Sequence, residues 1–424
     1  MSVRARRLVL GLAAPVLALV LSFVIISLVL VSANDPVWAV WHEIRTAPAA
    51  RNWANIIDKT TIFYLAGIAV AIGFRMNLFN IGVEGQFLVA ALMAAYVAGE
   101  AWFPGYVNTG VAIIAAMLAG GLYAGIAGVL RAYRGVSEVI TTIMLNAVAV
   151  GLTAFVLREI APPLPPGSYT ITTKLIPEES RIPSISIGEG PATEIYGFVF
   201  VAVAVGFVYW FVINHTRFGF DLRATGQSVT AAVASGVNVK RMVIVAMVLS
   251  GAFAGLVGLP YIFGEYYSYG STFPAGIGFT GIAVALIGRN HPIGVALGAL
   301  LFAFLDEQSN KLQIDAGVSP EIVKIMQGTI LLMVVISYEV VRRYGLRLEQ
   351  QSVAKQLART SSDDDLPTPA ALAADVPVDT TRPGGATALA TADPLAKRDP
   401  VTDPADPADR ADPARPVDPK EGER

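Results

Sequence analysis

The sequence predicts an all-α integral membrane protein with about ten transmembrane helices, some short or broken, and both termini in the cytoplasm. Composition gives the class. Of the 424 residues, 54% are apolar and only 15% charged, and the mean hydropathy is +0.57. A soluble domain is about 45–50% apolar and about 25% charged. Patterning gives the spans, because the excess gathers in runs such as 8–31, 111–130 and 243–263, each near the ~20 residues that cross a hydrocarbon core. Basic residues give the orientation. With the N-terminus inside, fourteen Lys and Arg, among them Arg75, Arg131, Arg223 and Arg289, flank the cytoplasmic ends and eight flank the other side, the asymmetry of a cytoplasm-facing surface.

In order, the apolar stretches cover 8–31, 58–74, 81–99, 109–130, 137–157, 195–213, 243–263, 276–288, 292–305 and 321–340. The first follows Arg4, Arg6 and Arg7 and is too long for a cleaved secretory signal, whose apolar region is about 7–15 residues; it is expected to be a retained helix. Two long loops interrupt the series. Residues 159–194, rich in Pro, Thr, Ser and Glu, are expected outside, and 214–240 inside. The transmembrane domain is expected to occupy 1–348. Beyond it no aromatic residue follows Tyr344, and six Asp-Pro pairs run from Asp393 to Pro419. Such a composition cannot offset its ordering entropy by burial, so 349–424 is expected to be a disordered cytoplasmic tail. One internal echo appears: 67–72 (GIAVAI) against 281–286 (GIAVAL), each followed by an Arg, an Asn and an Ile-Gly-Val; repeats of this kind are common in transporters.

Several chemistries are excluded. No cysteine exists, so neither disulfides nor thiolate metal sites are available. His42, His215 and His291 are far apart, and no metal site or catalytic cluster is expected. No G-x-x-x-x-G-K-[ST] loop occurs, so the chain does not hold ATP by that route.

Polar groups inside apolar stretches carry the functional argument, because burying them in a membrane is costly. The densest run is 77–86 (NLFNIGVEGQ), with Asn77, Asn80, Glu84 and Gln86 around Gly82 and Gly85. It reads either as a broken helix whose exposed polar groups form a solute site, or as a helix start with Asn80 as N-cap and Glu84 in the first turn; both can hold. In 137–157, Glu138, Thr142, Asn146 and Thr153 share one helical face. Asn146 suits the lining of an aqueous path, Thr142 and Thr153 suit packing, and Glu138 is placed to pair with Arg131 or Arg134. Glycines at 121/125 and 251/255 fit close helix packing. Tyr261, Glu265, Tyr266, Tyr267 and Tyr269 read as an interfacial belt or as the lip of an entrance. In the inner loop, Ser228 to Ser235 can form a short helix bounded by Gly226 and Gly236, with Ala231 and Ala232 on it. Such a helix is either an ordinary surface turn or an object that fits a cleft of another protein.

Four segments, 74–91 (FRMNLFNIGVEGQFLVAA), 134–146 (RGVSEVITTIMLN), 216–241 (TRFGFDLRATGQ through ASGVNVKR) and 278–306 (GFTGIAVALIGRNHPIGVALGALLFAFLD), resemble the membrane permeases of bacterial ABC importers. The branch serves simple sugars, nucleosides and branched-chain amino acids, and the NIGVEGQ and SEVITTIMLN signatures resemble its nucleoside (guanosine/uridine-type) permeases. The resemblance spans about 8–345. It implies a non-enzymatic translocation subunit in the cytoplasmic membrane, paired with a second, related permease or a second copy. It further implies ATPase partners that hold the ATP and magnesium, an extracytoplasmic solute-binding lipoprotein and no nucleic-acid partner. It also implies that the 214–240 loop couples to the ATPase around Gly226–Gly236, with Arg223, Ala231 and Ala232 in that contact. Asn77, Asn80, Glu84, Gln86 and Asn146 are then expected along the solute path. The alternatives are a ribose- or galactose-type permease of the same class, or an ion-coupled carrier acting alone.

Overall fold

The computed structural model describes residues 3–163, 169–186, 188 and 193–362. The chain divides into a unit up to Ser352 and a second from Val353, whose described residues are the last turns of one helix; the remainder of the 349–424 tail lies outside the described residues.

Thirteen α-helices run through the described residues: α1 (Val3–Ser32), α2 (Val37–Arg45), α3 (Ala50–Phe74), α4 (Val83–Glu100), α5 (Gly105–Arg134), α6 (Glu138–Ile160), α7 (Phe198–His215), α8 (Arg217–Gln227), α9 (Val229–Ala234), α10 (Val239–Ala254), α11 (Ile277–Ile287), α12 (Pro292–Ala316) and α13 (Pro320–Ser362). A helix lies at each apolar stretch of the sequence. Five of them, α3, α5, α6, α7 and the 320–347 part of α13, are by themselves long and apolar enough to cross a membrane. α2 and α8 were not expected. Both are short and carry charges, Glu43 and Arg45 in one, Arg217, Asp221 and Arg223 in the other, so a search for apolar runs passes over them. The 159–194 loop also holds structure: a 3-10 turn at Glu178–Ser180 and a small antiparallel pair, β1 (Ser184–Ser186) on β2 (Glu194–Tyr196).

The core sits on α3, whose last two turns are almost wholly buried from Leu65 to Ile72. Around it pack α10, α11 and α12, while α4 is held between α5 and α6. Small side chains set these distances. A β-carbon on Gly120 would strike the carbonyl of Gly251, one on Gly251 would strike that of Gly120, and one on Gly255 would lie 2.5 Å from the Ala116 carbonyl. The α5–α10 crossing is therefore backbone against backbone, the geometry small residues permit. Its tightest point uses Gly120, which lies outside the four-residue spacing. Gly125 has only the Val248 side chain near it, at 3.3 Å.

The two echoed segments pack on each other. A β-carbon on Gly67 of α3 would meet Val284 of α11 at 2.9 Å, and one on Gly281 of α11 would meet Ala66 of α3 at 2.7 Å. Both helices also stop in the same way. Leu78 N–H bonds back to Gly73 across Asn77 (φ 56°), and Asn290 N–H bonds back to Ala285 across Arg289 (φ 54°). This is the six-to-one bond of a Schellman cap with a left-handed residue at its hinge.

Candidate functional site

The cap on α3 reverses the chain, and residues 78–82 run back beside the helix they have just left before α4 begins. That detour leaves backbone groups that neither helix satisfies, and buried side chains meet them. Asn80, fully buried, donates to Gln86 Oε1 at 3.0 Å and to Ser250 Oγ at 2.8 Å; its own oxygen accepts from Gln86 Nε2 at 2.9 Å and from Gly82 N–H at 3.1 Å. Ser250 in turn donates to the Ala69 carbonyl of α3 at 2.6 Å. The N-cap of α4 is Gly82 and not Asn80, because the Asn80 amide spans the gap between α3, α4 and α10 instead.

Asn146 of α6 closes the other side. It accepts from Gly85 N–H at 2.9 Å and donates to the Ile81 carbonyl at 3.0 Å, so one amide serves a free N–H of the first turn of α4 and a carbonyl of the break. Glu84 turns away from this group towards α11. Its two carboxylate oxygens accept from Gly276 N–H at 2.6 Å and Gly278 N–H at 2.8 Å. Gly278 lies so close to Val83 and Glu84 that a β-carbon there would clash with their backbone. The starts of α4 and α11 thus meet, and the carboxylate sits where two positive helix ends converge. Thr142 and Thr153 bond the carbonyls of Glu138 and Ala149 on their own helix, and Glu138 lies 3.2 Å from Arg131.

Asn77 stands apart from this buried hydrogen-bond lattice of Asn80, Gln86, Ser250 and Asn146. It is exposed and donates to the Gly226 carbonyl of α8 at 2.8 Å. Gly226 itself lies against the turn, where a β-carbon would come within 2.7 Å of the Arg75 carbonyl. Arg75 donates to the Asn290 carbonyl at 2.7 Å, and Tyr209 of α7 donates to the same oxygen at 2.7 Å. The two caps and the end of α8 therefore form one cluster. The short helix expected in the loop is α9, capped by Ser228, whose hydroxyl accepts from Ala231 N–H at 3.3 Å. Ala232 is buried against the body, whereas Ala231 and Gly236 are exposed, and so are Val229 and Val233, one turn apart. Arg223 points back and donates to the Ile213 carbonyl.

At the far end of α6, the tyrosines gather into a ring cluster around Phe273. Tyr269 stacks on it at 4.6 Å between centroids, with Tyr261 at 6.1 Å and Tyr266 at 6.3 Å edge-on. Burial, reinforced by the Glu265 carboxylate, pushes the Tyr266 phenol up to about 12 and raises that of Tyr196 as well, so both stay protonated at neutral pH. The loop 169–176 is laced to this cluster, with Thr173 N–H on the Tyr269 carbonyl and Ile176 N–H on the Tyr267 carbonyl, both at 2.9 Å. A second polar group escaped the sequence reading. Lys59 of α3 lies 2.7 Å from Asp306 and 3.1 Å from Glu307 of α12, and Asn55 donates to Glu307 at 2.9 Å. Lys59 and Asp306 are 247 positions apart, and no local pattern links them.

The family described as branched-chain amino acid transport system / permease component matches residues 52–335, a stretch that holds the helix break, the α8–α9 loop and both caps. Among individual proteins, the chain is 37% identical over 287 residues to the guanosine ABC transporter permease of Bacillus subtilis, covering 67% of this chain and 81% of that one. It is 31% identical over 342 residues to the glucose ABC transporter permease of Haloferax volcanii, covering 78% and 88%. It is 30% identical over 333 residues to the nucleoside ABC transporter permease of Lactococcus lactis, covering 76% and 90%. The chain belongs to the branched-chain amino acid transport system / permease component family and is a multi-pass membrane protein and a transport subunit.

Proposed function

We propose that this chain is the permease subunit of an ATP-driven importer that carries nucleosides across the cytoplasmic membrane of a bacterium. It would cross the bilayer ten times with both termini inside. An ATPase would dock below, a second permease or a second copy alongside, and a solute-binding lipoprotein above. The observation that carries the reading is the contact of α8–α9 with the α3–α4 turn. The exposed Val229 and Val233 offer a small apolar surface to a partner's cleft, and Gly226 and Asn77 join the same segment to the chain that leads into Asn80. Movement imposed on α9 would reach the lattice within a few residues, with Arg223, Ala231, Ala232 and Gly236 shaping the segment that receives it. The solute would pass beside Asn80, Glu84, Gln86 and Asn146 as the lattice opens and closes, hydrogen-bonded through ribose hydroxyls and base edges and with no bond made or broken. The guanosine and nucleoside permeases among its relatives support that cargo.

Cells expressing the chain with its ATPase and lipoprotein should take up labelled guanosine, with uridine competing. The purified chain alone in liposomes should stay silent under any ion gradient. A simple sugar is the second reading, favoured by the similarity to the glucose permease; uptake competed by glucose and indifferent to nucleosides would replace the first reading with it.

A further inference from the structure

Beyond the helix break, α6 continues to a cavity that nothing above has used. Thr153 lies fifteen residues past Glu138, about 22 Å along the helix at the usual rise, and so at the end of α6 opposite the α8–α9 loop. There α4, α6 and the 269–275 segment enclose a cavity of about 320 Å³, lined by Leu88, Thr153, Arg158, Tyr269, Ser271 and Phe273 among others. We propose that this cavity is the receptacle in which a nucleoside first lodges in the permease, its base against the Tyr269–Phe273 stack and its sugar towards the Thr153, Ser271 and Arg158 side.

Size is the first argument. Ligand pockets run from about 300 to 1,000 Å³, so this one, at the small end, suits a single base with its sugar and not a larger cofactor. Chemistry is the second. One part of the lining is aromatic, with the Tyr269 and Phe273 rings nearly parallel at 29°, and stacking on such rings holds bases of any sequence. The other part is hydroxyl and guanidinium, the groups that meet a ribose. Among the described residues, Arg158 is exposed and no carboxylate pairs with it, whereas Tyr269 is buried and held in place by its N–H on the Thr173 hydroxyl at 3.0 Å. Position is the third. Ala275, in the same lining, adjoins Gly276, whose N–H is held by Glu84. Along α6, Asn146, Val150 and Thr153 follow at helical spacing, so the cavity stands directly above the lattice. Its cover is the 169–176 loop, tied across it by Ser271 N–H on the Ile171 carbonyl at 3.0 Å and by the Thr172–Gly270 bridge.

The inference rests on the nucleoside reading, and the test separates the two. Uptake of labelled guanosine is measured in the full complex, with guanosine and free ribose as competitors, for the wild type and for Phe273→Leu, Phe273→Tyr and Ser271→Ala. Phe273→Leu is expected to raise the KM for guanosine about 5- to 140-fold, the value of one lost base stack, to leave the ribose competition unchanged, and to be rescued by Phe273→Tyr. Ser271→Ala, at an exposed loop position, is expected to raise the KM severalfold without loss of protein from the membrane. If guanosine enters the wild type but both Phe273→Leu and Ser271→Ala only scale the rate with the amount of protein at constant KM, the receptacle is wrong and the nucleoside reading survives. Transport of glucose with no guanosine entry in the wild type would overturn both. A shift of guanosine and ribose together would mark the cavity as structural and likewise defeat the proposal.

Discussion

Asn146 shows how a single side chain can hold two helices in register. Its amide satisfies one donor and one acceptor that the break would otherwise leave buried without partners, and such a group costs about 1–3 kcal/mol when stranded. Asn146→Leu, which strands both, should therefore lower stability by about 2–6 kcal/mol, read as an earlier thermal unfolding in detergent. Thr142→Val should cost far less, because the Thr142 hydroxyl bonds only a carbonyl of its own helix. Glu84→Gln leaves one acceptor where two N–H groups need one each, and should reduce both thermal stability and guanosine uptake; unchanged values for both would remove Glu84 from the joint between α4 and α11. Asn80, Glu84, Gln86 and Asn146 were legible in the sequence because amides and a carboxylate are conspicuous among apolar neighbours. Ser250 was not, since a lone hydroxyl in an apolar helix usually bonds its own preceding turn, and only the fold brings it to Asn80 and Ala69. In the sequence Lys59 is one more charge at the end of an apolar stretch, because its partners on α12 become neighbours only when α3 and α12 pack.

Among the elements, the α8–α9 segment owes its place to a missing side chain. Gly226 permits the carbonyl of Arg75 and the Cα of Met76 to approach to 2.7 and 2.9 Å of where a β-carbon would stand. Gly226→Val should push α8 off the turn and break the Asn77 bond. The expected result is an assembled complex that hydrolyses more ATP for each guanosine imported, measured as that ratio in proteoliposomes; an unaltered ratio would leave Gly226 a packing residue only. At the α5–α10 crossing the obstacle is a backbone carbonyl, which no rotamer change can clear. Gly251→Leu should accordingly abolish accumulation in the membrane, while Gly125→Ala, facing a movable Val248 side chain, should be tolerated; immunoblots of membrane fractions decide both. The sequence made apolar helices legible through their runs and α9 through its bounding glycines. It left α2 and α8 unseen, because a short charged helix held by neighbours carries no periodic signal strong enough to stand out from a loop.

For the molecule as a whole, the echoed segments explain why α3 and α11 lie face to face. Each supplies a glycine where the other needs room, each ends in the same left-handed cap, and Arg75 after one copy holds Asn290 after the other. The repetition could be read from the letters, but its reciprocity could not, since a repeated string fixes no mutual orientation. The family match ends at 335, well before the Asp-Pro tail, so a chain cut after Ser362 should import guanosine at the rate of the full one when matched for membrane abundance. One last consequence follows from the carboxylate lodged between the starts of α4 and α11. Two converging helix ends would otherwise make a welcoming berth for an anion, and here the protein has berthed its own. On the proposed solute path a phosphorylated visitor would thus find no vacancy and meet a like charge, whereas an uncharged one would pass unopposed.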